Sequence, residues 1–276
     1  MTKRGVQKVT RSDVGSTGKG EAANAAAAKK PIRIVREIIG GIRRNIHGSS
    51  LAAYRRPRND SDGRATTMAR VTTWLIVINV AVFGLQQLFS DELVTNFALW
   101  PLGSYHVAQL NATVGFHWWQ LLTSAFLHAN VLHIGLNMYA LYLFGFNVER
   151  TMGAAYYLAL YFAAVLASGL VQLGVVTATV SSGVYPTLGA SGGIFGVLLA
   201  FGVLFPERKL ILIFPPIPLP AWLFVTLYGL IELASGIFGT EAGVAHFAHL
   251  GGMLGGALVL WFWRRHVQLP AYDWDE

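Results

Sequence analysis

Apolar residues fall into six long runs after residue 71, at about 72–90, 131–148, 154–175, 190–205, 219–238 and 244–263. Crossing a hydrocarbon core takes about 20 residues of helix, so each run predicts a membrane span. The third and sixth runs are the clearest, whereas the second and fourth are short and polar at their starts. Segment 91–130 is too long for a tight turn, and its Trp100, Tyr105, His117, Trp118 and Trp119 suit an interfacial, partly inserted outer loop. Pro215, Pro216, Pro218 and Pro220 break the chain before the fifth span. Upstream, residues 31–47 carry Val35, Ile38, Ile39, Ile42 and Ile46 at helical spacing, with Arg36, Arg43 and Arg44 elsewhere on the wheel. This segment reads as a basic amphipathic helix on an anionic membrane surface or, given Gly40 and Gly41, as a partly helical linker.

Composition agrees with a membrane protein. Hydrophobic residues make up 54% of the 276 and charged residues 13%, against about 25% charged in soluble domains. The absence of cysteine excludes disulfides, zinc thiolates and a cysteine nucleophile. The net charge is +7, and 16 of the 21 Lys and Arg lie in residues 1–70. A basic tail followed by charge-poor runs is not the pattern of a nucleic-acid-binding domain. The chain therefore divides into a basic, largely disordered tail at 1–70, a six-span core at 71–265 and a short tail at 266–276. The first 30 residues show no apolar signal-peptide region. A cleaved organelle transit peptide is the rival reading, and Asp13, Glu21 and Glu37 argue against it. Ala- and Arg-rich usage points to a bacterial cell membrane.

The late cations set the orientation. With the N-terminal tail cytoplasmic, Arg150 follows span two, Arg208 and Lys209 follow span four, and Arg264 and Arg265 follow span six. All five then face the cytoplasm and the outer loops hold no Lys or Arg, as the positive-inside rule requires.

Three stretches carry candidate chemistry. Gly189-Ala190-Ser191-Gly192-Gly193-Ile194-Phe195-Gly196 opens the fourth span, and by itself reads equally as a small-residue helix contact. The second stretch, Ala248 to Gly256, places His249 inside the sixth span, where an ionisable residue is costly and marks function. Gly252 and Gly256 share the histidine's helix face, which can press against a Gly-rich partner and bring His249 to Ser191 as its general base. The third stretch holds His128, and then His133 and Asn137 four residues apart on one helical face. Each of that pair offers an N–H donor that could stabilise an oxyanion, although an interhelical polar pair is the plain alternative. Gly189, two residues before the serine, joins them as a substrate-stabilising position. A metal site on His128 and His133 or on His246 and His249 has no accompanying carboxylate nearby except Glu241, and no HExxH occurs.

Taken together, these stretches resemble the rhomboid family over roughly residues 70–265. GASGGIFG resembles the family's serine motif, and Ala248, His249, Gly252 and Gly256 its sixth-helix motif. His133 and Asn137 match its histidine-x-x-x-asparagine pattern, His128 its earlier histidine, and Glu149 and Gly153 its glutamate-x-x-x-glycine. There are two departures. The family's tryptophan-arginine pair reads here as Trp119-Gln120, and Phe195 stands where a tyrosine often stacks on the histidine.

The resemblance implies an all-α bundle of six spans and a serine endopeptidase that cuts transmembrane substrates near the outer boundary with a Ser191–His249 dyad. It implies no cofactor and no metal; the partners are transmembrane proteins and the bilayer. Water must reach such a site, so a cavity open to the outer face is expected, with a mobile cap at 238–246. Glu232 is the only acid within a span, 17 residues before His249. It could orient His249, but a wet surface or a polar neighbour suits it better. A catalytically silent chaperone or scaffold on the same fold is the alternative from another class. A transporter would call for inverted repeats, and none is evident.

Overall fold

The computed structural model describes residues 70–211, 216–238 and 245–266. The 31–47 segment, both tails and most of the 238–246 cap lie outside the described residues.

Local chemistry sets the ends of each helix. Helix α1 is Arg70–Leu88, and its start is capped from afar. The Glu149 carboxylate accepts the Val71 and Thr72 amides at 2.9 and 2.8 Å and the Thr72 hydroxyl at 2.7 Å. Those amides would otherwise be unpaired donors at a helix start. The second run forms α4, Val131–Ala140, a π-helical stretch Leu141–Gly145 and α5, Phe146–Met152. Gly153, at φ +80°, then turns the chain into α6, Ala154–Ala178, a backbone that suits glycine. The fourth run forms α7, Ser191–Leu204, which stops two residues short of Pro206. The fifth forms α8, Ala221–Phe238, and the sixth α9, His246–His266.

The described residues are mostly helical, as the all-α expectation has it, and among them two small antiparallel sheets accompany the helices. The segment that follows α1 begins with α2, Ser90–Phe97. There β1, Tyr105–Val107, pairs with β2, Ala112–Val114, around Asn111 in the left-handed region, and α3, Gln120–Thr123, follows. Past α7, β3, Lys209–Ile211, pairs with β4, Pro218–Pro220. The prolines do precede the fifth helix, but two of them sit in an edge strand rather than a bare break.

Among the described residues, four helical stretches are long and apolar enough to cross a membrane: α1, the continuous Val131–Met152, α6 and α8. The other two predicted spans do not qualify by those measures. Helix α7 has 14 residues, about 21 Å at 1.5 Å per residue. Helix α9 is long enough, but its histidines, glycines and terminal arginines make it less apolar.

Helices α6, α7 and α9 form the centre. Helix α9 approaches both neighbours through glycine faces. A Cβ on Gly252 would overlap the Gly192 carbonyl oxygen, and one on Gly256 would lie 2.7 Å from Gly196 Cα. On the other face, a Cβ on Gly251 would lie 2.9 Å from the Ala167 oxygen of α6. Nearly every residue of α7 is buried, whereas Trp74 and Leu85 of α1, Leu230 and Ile231 of α8, and Leu254 and Leu258 on the outward face of α9 are exposed. Large apolar side chains on the outside and small residues at the helix contacts are the arrangement of a membrane bundle.

Gln120 replaces the arginine that the resemblance leads one to expect, and the loop is packed around it. It is 0% exposed, and its four hydrogen-bonding positions are all used. Its oxygen accepts the Trp100 and His117 amides at 3.3 and 3.1 Å, and its nitrogen donates to the Asn96 and Gly115 oxygens at 3.4 and 3.2 Å. Trp118, 72% exposed, remains the outward ring expected of an interfacial loop.

Candidate active site

Ser191 is the first residue of α7, and its Oγ lies 2.9 Å from His249 Nε2 on α9. The two helices can come this close because Gly192 and Gly252 carry no side chains at the crossing. Phe195, one turn after the serine, stacks on the His249 ring at 4.1 Å between centroids and 8° between planes. The ring survives the departure from tyrosine, and the stacking with it.

The loop before the serine is fixed by Gly189. Its φ is +132°, and its amide donates to the Ser124 carbonyl at 2.9 Å. A Cβ there would lie 2.7 Å from His133 Cε1, so the residue must be small as well as left-handed. His133 stands on α4, where Asn130 caps the helix by accepting the His133 amide at 2.9 Å. Its Nδ1 faces the Ala129 amide at 3.4 Å, which assigns the ring proton to Nε2, on the Gly189 side. Asn137, one turn on, is buried, and its Nδ2 has no protein partner among the described residues. Both donors line one cavity of about 940 Å³ together with Ser191, His249, Gly189 and Phe195.

His128 is 0% exposed and stands behind His133, edge to face at 5.1 Å, rather than at the serine. Its backbone is clamped to α1, where the Gln86 amide donates to its carbonyl at 2.9 Å and accepts its N–H at 3.0 Å. Burial, and then the nearby His133, pull its pKa down to about 4. It supports the loop as a neutral ring.

Two further residues join the site behind His249. Glu232 of α8 is buried, and its Oε2 lies 2.9 Å from His249 Nδ1, at ion-pair distance but off the line of a hydrogen bond. The same oxygen accepts a 2.7 Å hydrogen bond from His246 Nδ1. The polar neighbour expected for Glu232 is therefore the histidine pair itself. His246 and His249, read in the sequence as a rival metal pair, converge on one carboxylate oxygen.

A rhomboid domain matches residues 115–266. The chain belongs to the rhomboid family. Rhomboid protein 1, mitochondrial, of Saccharomyces cerevisiae is 33% identical to it, over 70% of this chain and 53% of that protein. Presenilin-associated rhomboid-like protein A, mitochondrial, of Danio rerio is also 33% identical, over 56% of this chain and 41% of its own length. Rhomboid protease AarA of Providencia stuartii is 29% identical, over 68% and 70%. This rhomboid thus spans about half the length of the first two relatives. With its apolar helices, family membership makes it a multi-pass integral membrane protein. The bacterial cell membrane that composition suggested finds no support in relatives whose names place them in mitochondria.

Proposed function

We propose that this rhomboid is an intramembrane serine endopeptidase that cleaves transmembrane proteins near the membrane boundary on the side opposite its two termini. The observation that carries the reading is the 2.9 Å contact between Ser191 Oγ and His249 Nε2. In the reaction, His249 Nε2 takes the hydroxyl proton as Oγ attacks the scissile carbonyl. His133 Nε2–H and Asn137 Nδ2–H donate to the oxyanion. The imidazolium then protonates the leaving amine, and water resolves the acyl-enzyme by the same steps in reverse roles. Gly189 keeps the path to the oxyanion open, and Phe195 holds the His249 ring by stacking.

The shortness of α7 supports a site at membrane depth. A helix of about 21 Å cannot cover a core of about 30 Å, so the loop bearing Gly189 falls within that thickness. Irregular backbone is tolerated there only against protein or water, and the cavity supplies both. Orientation is supported by the ends of the helices. The Glu149 bonds to α1 and the 2.9 Å Arg208–Asn147 bond gather Arg70, Arg150 and Arg208 at one end. Ser191 and His249 lie at the opposite ends of their helices.

The test is cleavage of a transmembrane reporter in proteoliposomes, with fluorophosphonate labelling in parallel. Ser191→Ala and His249→Ala should each abolish cleavage, and Ser191→Ala should abolish labelling, while both variants remain inserted. Cleavage by either variant would sink the dyad. Binding of membrane proteins without any dependence on Ser191 would favour the silent scaffold instead.

A further inference from the structure

A buried carboxylate is costly unless it is paired, and a single partner would satisfy Glu232. His246 already provides one, with the shorter and better aligned contact. The second contact, to His249 Nδ1, has a different consequence. His249 Nε2 faces Ser191 Oγ at 2.9 Å, so carboxylate, imidazole and hydroxyl form one continuous chain across α8, α9 and α7.

We propose that Glu232 is a positioning residue for His249, holding the imidazole proton on Nδ1 so that Nε2 faces Ser191 unprotonated, with His246 clamping the carboxylate in place. This rests on the serine-protease reading above and replaces its bare dyad with a three-residue relay of position. No proton passes to Glu232. When Ser191 gives its proton to Nε2, the imidazolium forms 2.9 Å from an ionised acid, which stabilises it. The off-line geometry fits this role, because charge stabilisation depends on distance more than on alignment. Around the relay, α9 contributes His246 and His249, and α4 contributes His133, whose charge would oppose an imidazolium at His249.

The experiment compares the full chain with Glu232→Gln and His246→Phe, using fluorophosphonate labelling and reporter cleavage across pH. Glu232→Gln keeps the volume and removes the charge. Its labelling rate and kcat should fall by about 100-fold or more, with KM near the wild-type value. The acid limb of its pH–rate profile should move to lower pH, because the imidazolium has lost its neighbouring anion. His246→Phe should lose much less, because the contact to His249 remains. A Glu232→Gln enzyme with wild-type rate and an unmoved acid limb overturns the proposal, even if it melts earlier. The wild type alone provides a second test. Nitrogen-15 histidine NMR should place the neutral His249 proton on Nδ1, and an Nε2–H tautomer overturns the proposal without any variant. Labelling that persists in Ser191→Ala would instead refute the protease reading, and the proposal with it.

Discussion

Replacing Gly252 by alanine adds a single methyl group where α9 crosses α7. The new Cβ would overlap the Gly192 oxygen, and would lie 2.8 Å from the Gly192 carbonyl carbon and 3.1 Å from its Cα. Relaxed carbon contacts are about 3.5–4.0 Å, so the two backbones must part locally by roughly 0.5–1 Å. Gly192 directly follows the serine, and Gly252 lies three residues after the histidine on its face, so the wedge acts at the site itself. The 2.9 Å Ser191–His249 contact would open to about 3.4–3.9 Å, past a good hydrogen bond. A misplacement of about 1 Å in a catalytic pair costs about 100-fold in rate. The overpacking should cost about 1–3 kcal/mol of stability. The assay is kcat on a transmembrane reporter together with thermal unfolding in detergent. Gly174→Ala on α6 is the control, because no heavy atom outside its own helix lies within 4 Å of its added Cβ. It should keep both rate and melting temperature. A Gly252→Ala protein that cleaves at the wild-type rate would refute the claim that the glycine crossing sets the dyad distance.

Asn137→Ala should lower kcat by about 10- to 100-fold with little change in KM, if its unpartnered Nδ2 donates to the oxyanion. An unchanged kcat would reduce it to a packing residue. The His128 ring, shifted from 6.5 to about 4, excludes in the fold a proton that the unfolded chain binds between those values. Its stability contribution is complete above pH 6.5 and is lost as the pH falls toward 4. Melting temperature should decline over that window in the wild type and decline less in His128→Phe. Parallel slopes would mean that His128 does not carry the effect.

What the sequence makes legible is whatever repeats along one helix. Gly252 and Gly256 announce a bare face on the same side as His249 that can accept the Gly-rich start of α7, so helical spacing allows Ser191 and His249 to meet, and the family resemblance singles that pairing out. His133 and Asn137 share a face for the same reason. Glu232 is different. It approaches His249 across two helices, and no spacing of 17 residues says which way α8 turns its acid. The clue available was chemical: a lone carboxylate in an apolar run needs a partner, and His246 lies one turn from His249 on a common face. The β1–β2 hairpin escapes notice because three-residue strands carry no measurable alternation, although Asn111 marks its left-handed turn. The extension of the second span to Met152 has a readable stop in Gly153, hidden by the polar Asn147–Arg150 stretch that reads as a helix exit.

Gln120 carries a consequence for how the first outer loop meets lipid. An arginine holding the same carbonyls would bring a permanent positive charge that must be hydrated or matched by phosphate. The amide at this position is neutral and internally satisfied by two amides and two carbonyls. Sinking the Gln120 region among acyl chains therefore strips no ion of its hydration at that position; the acids of this segment, Asp91 and Glu92, stand exposed on α2. Immersion at that position should be indifferent to ionic strength, and any response of the segment to anionic lipid should trace to Asp91 and Glu92 of α2.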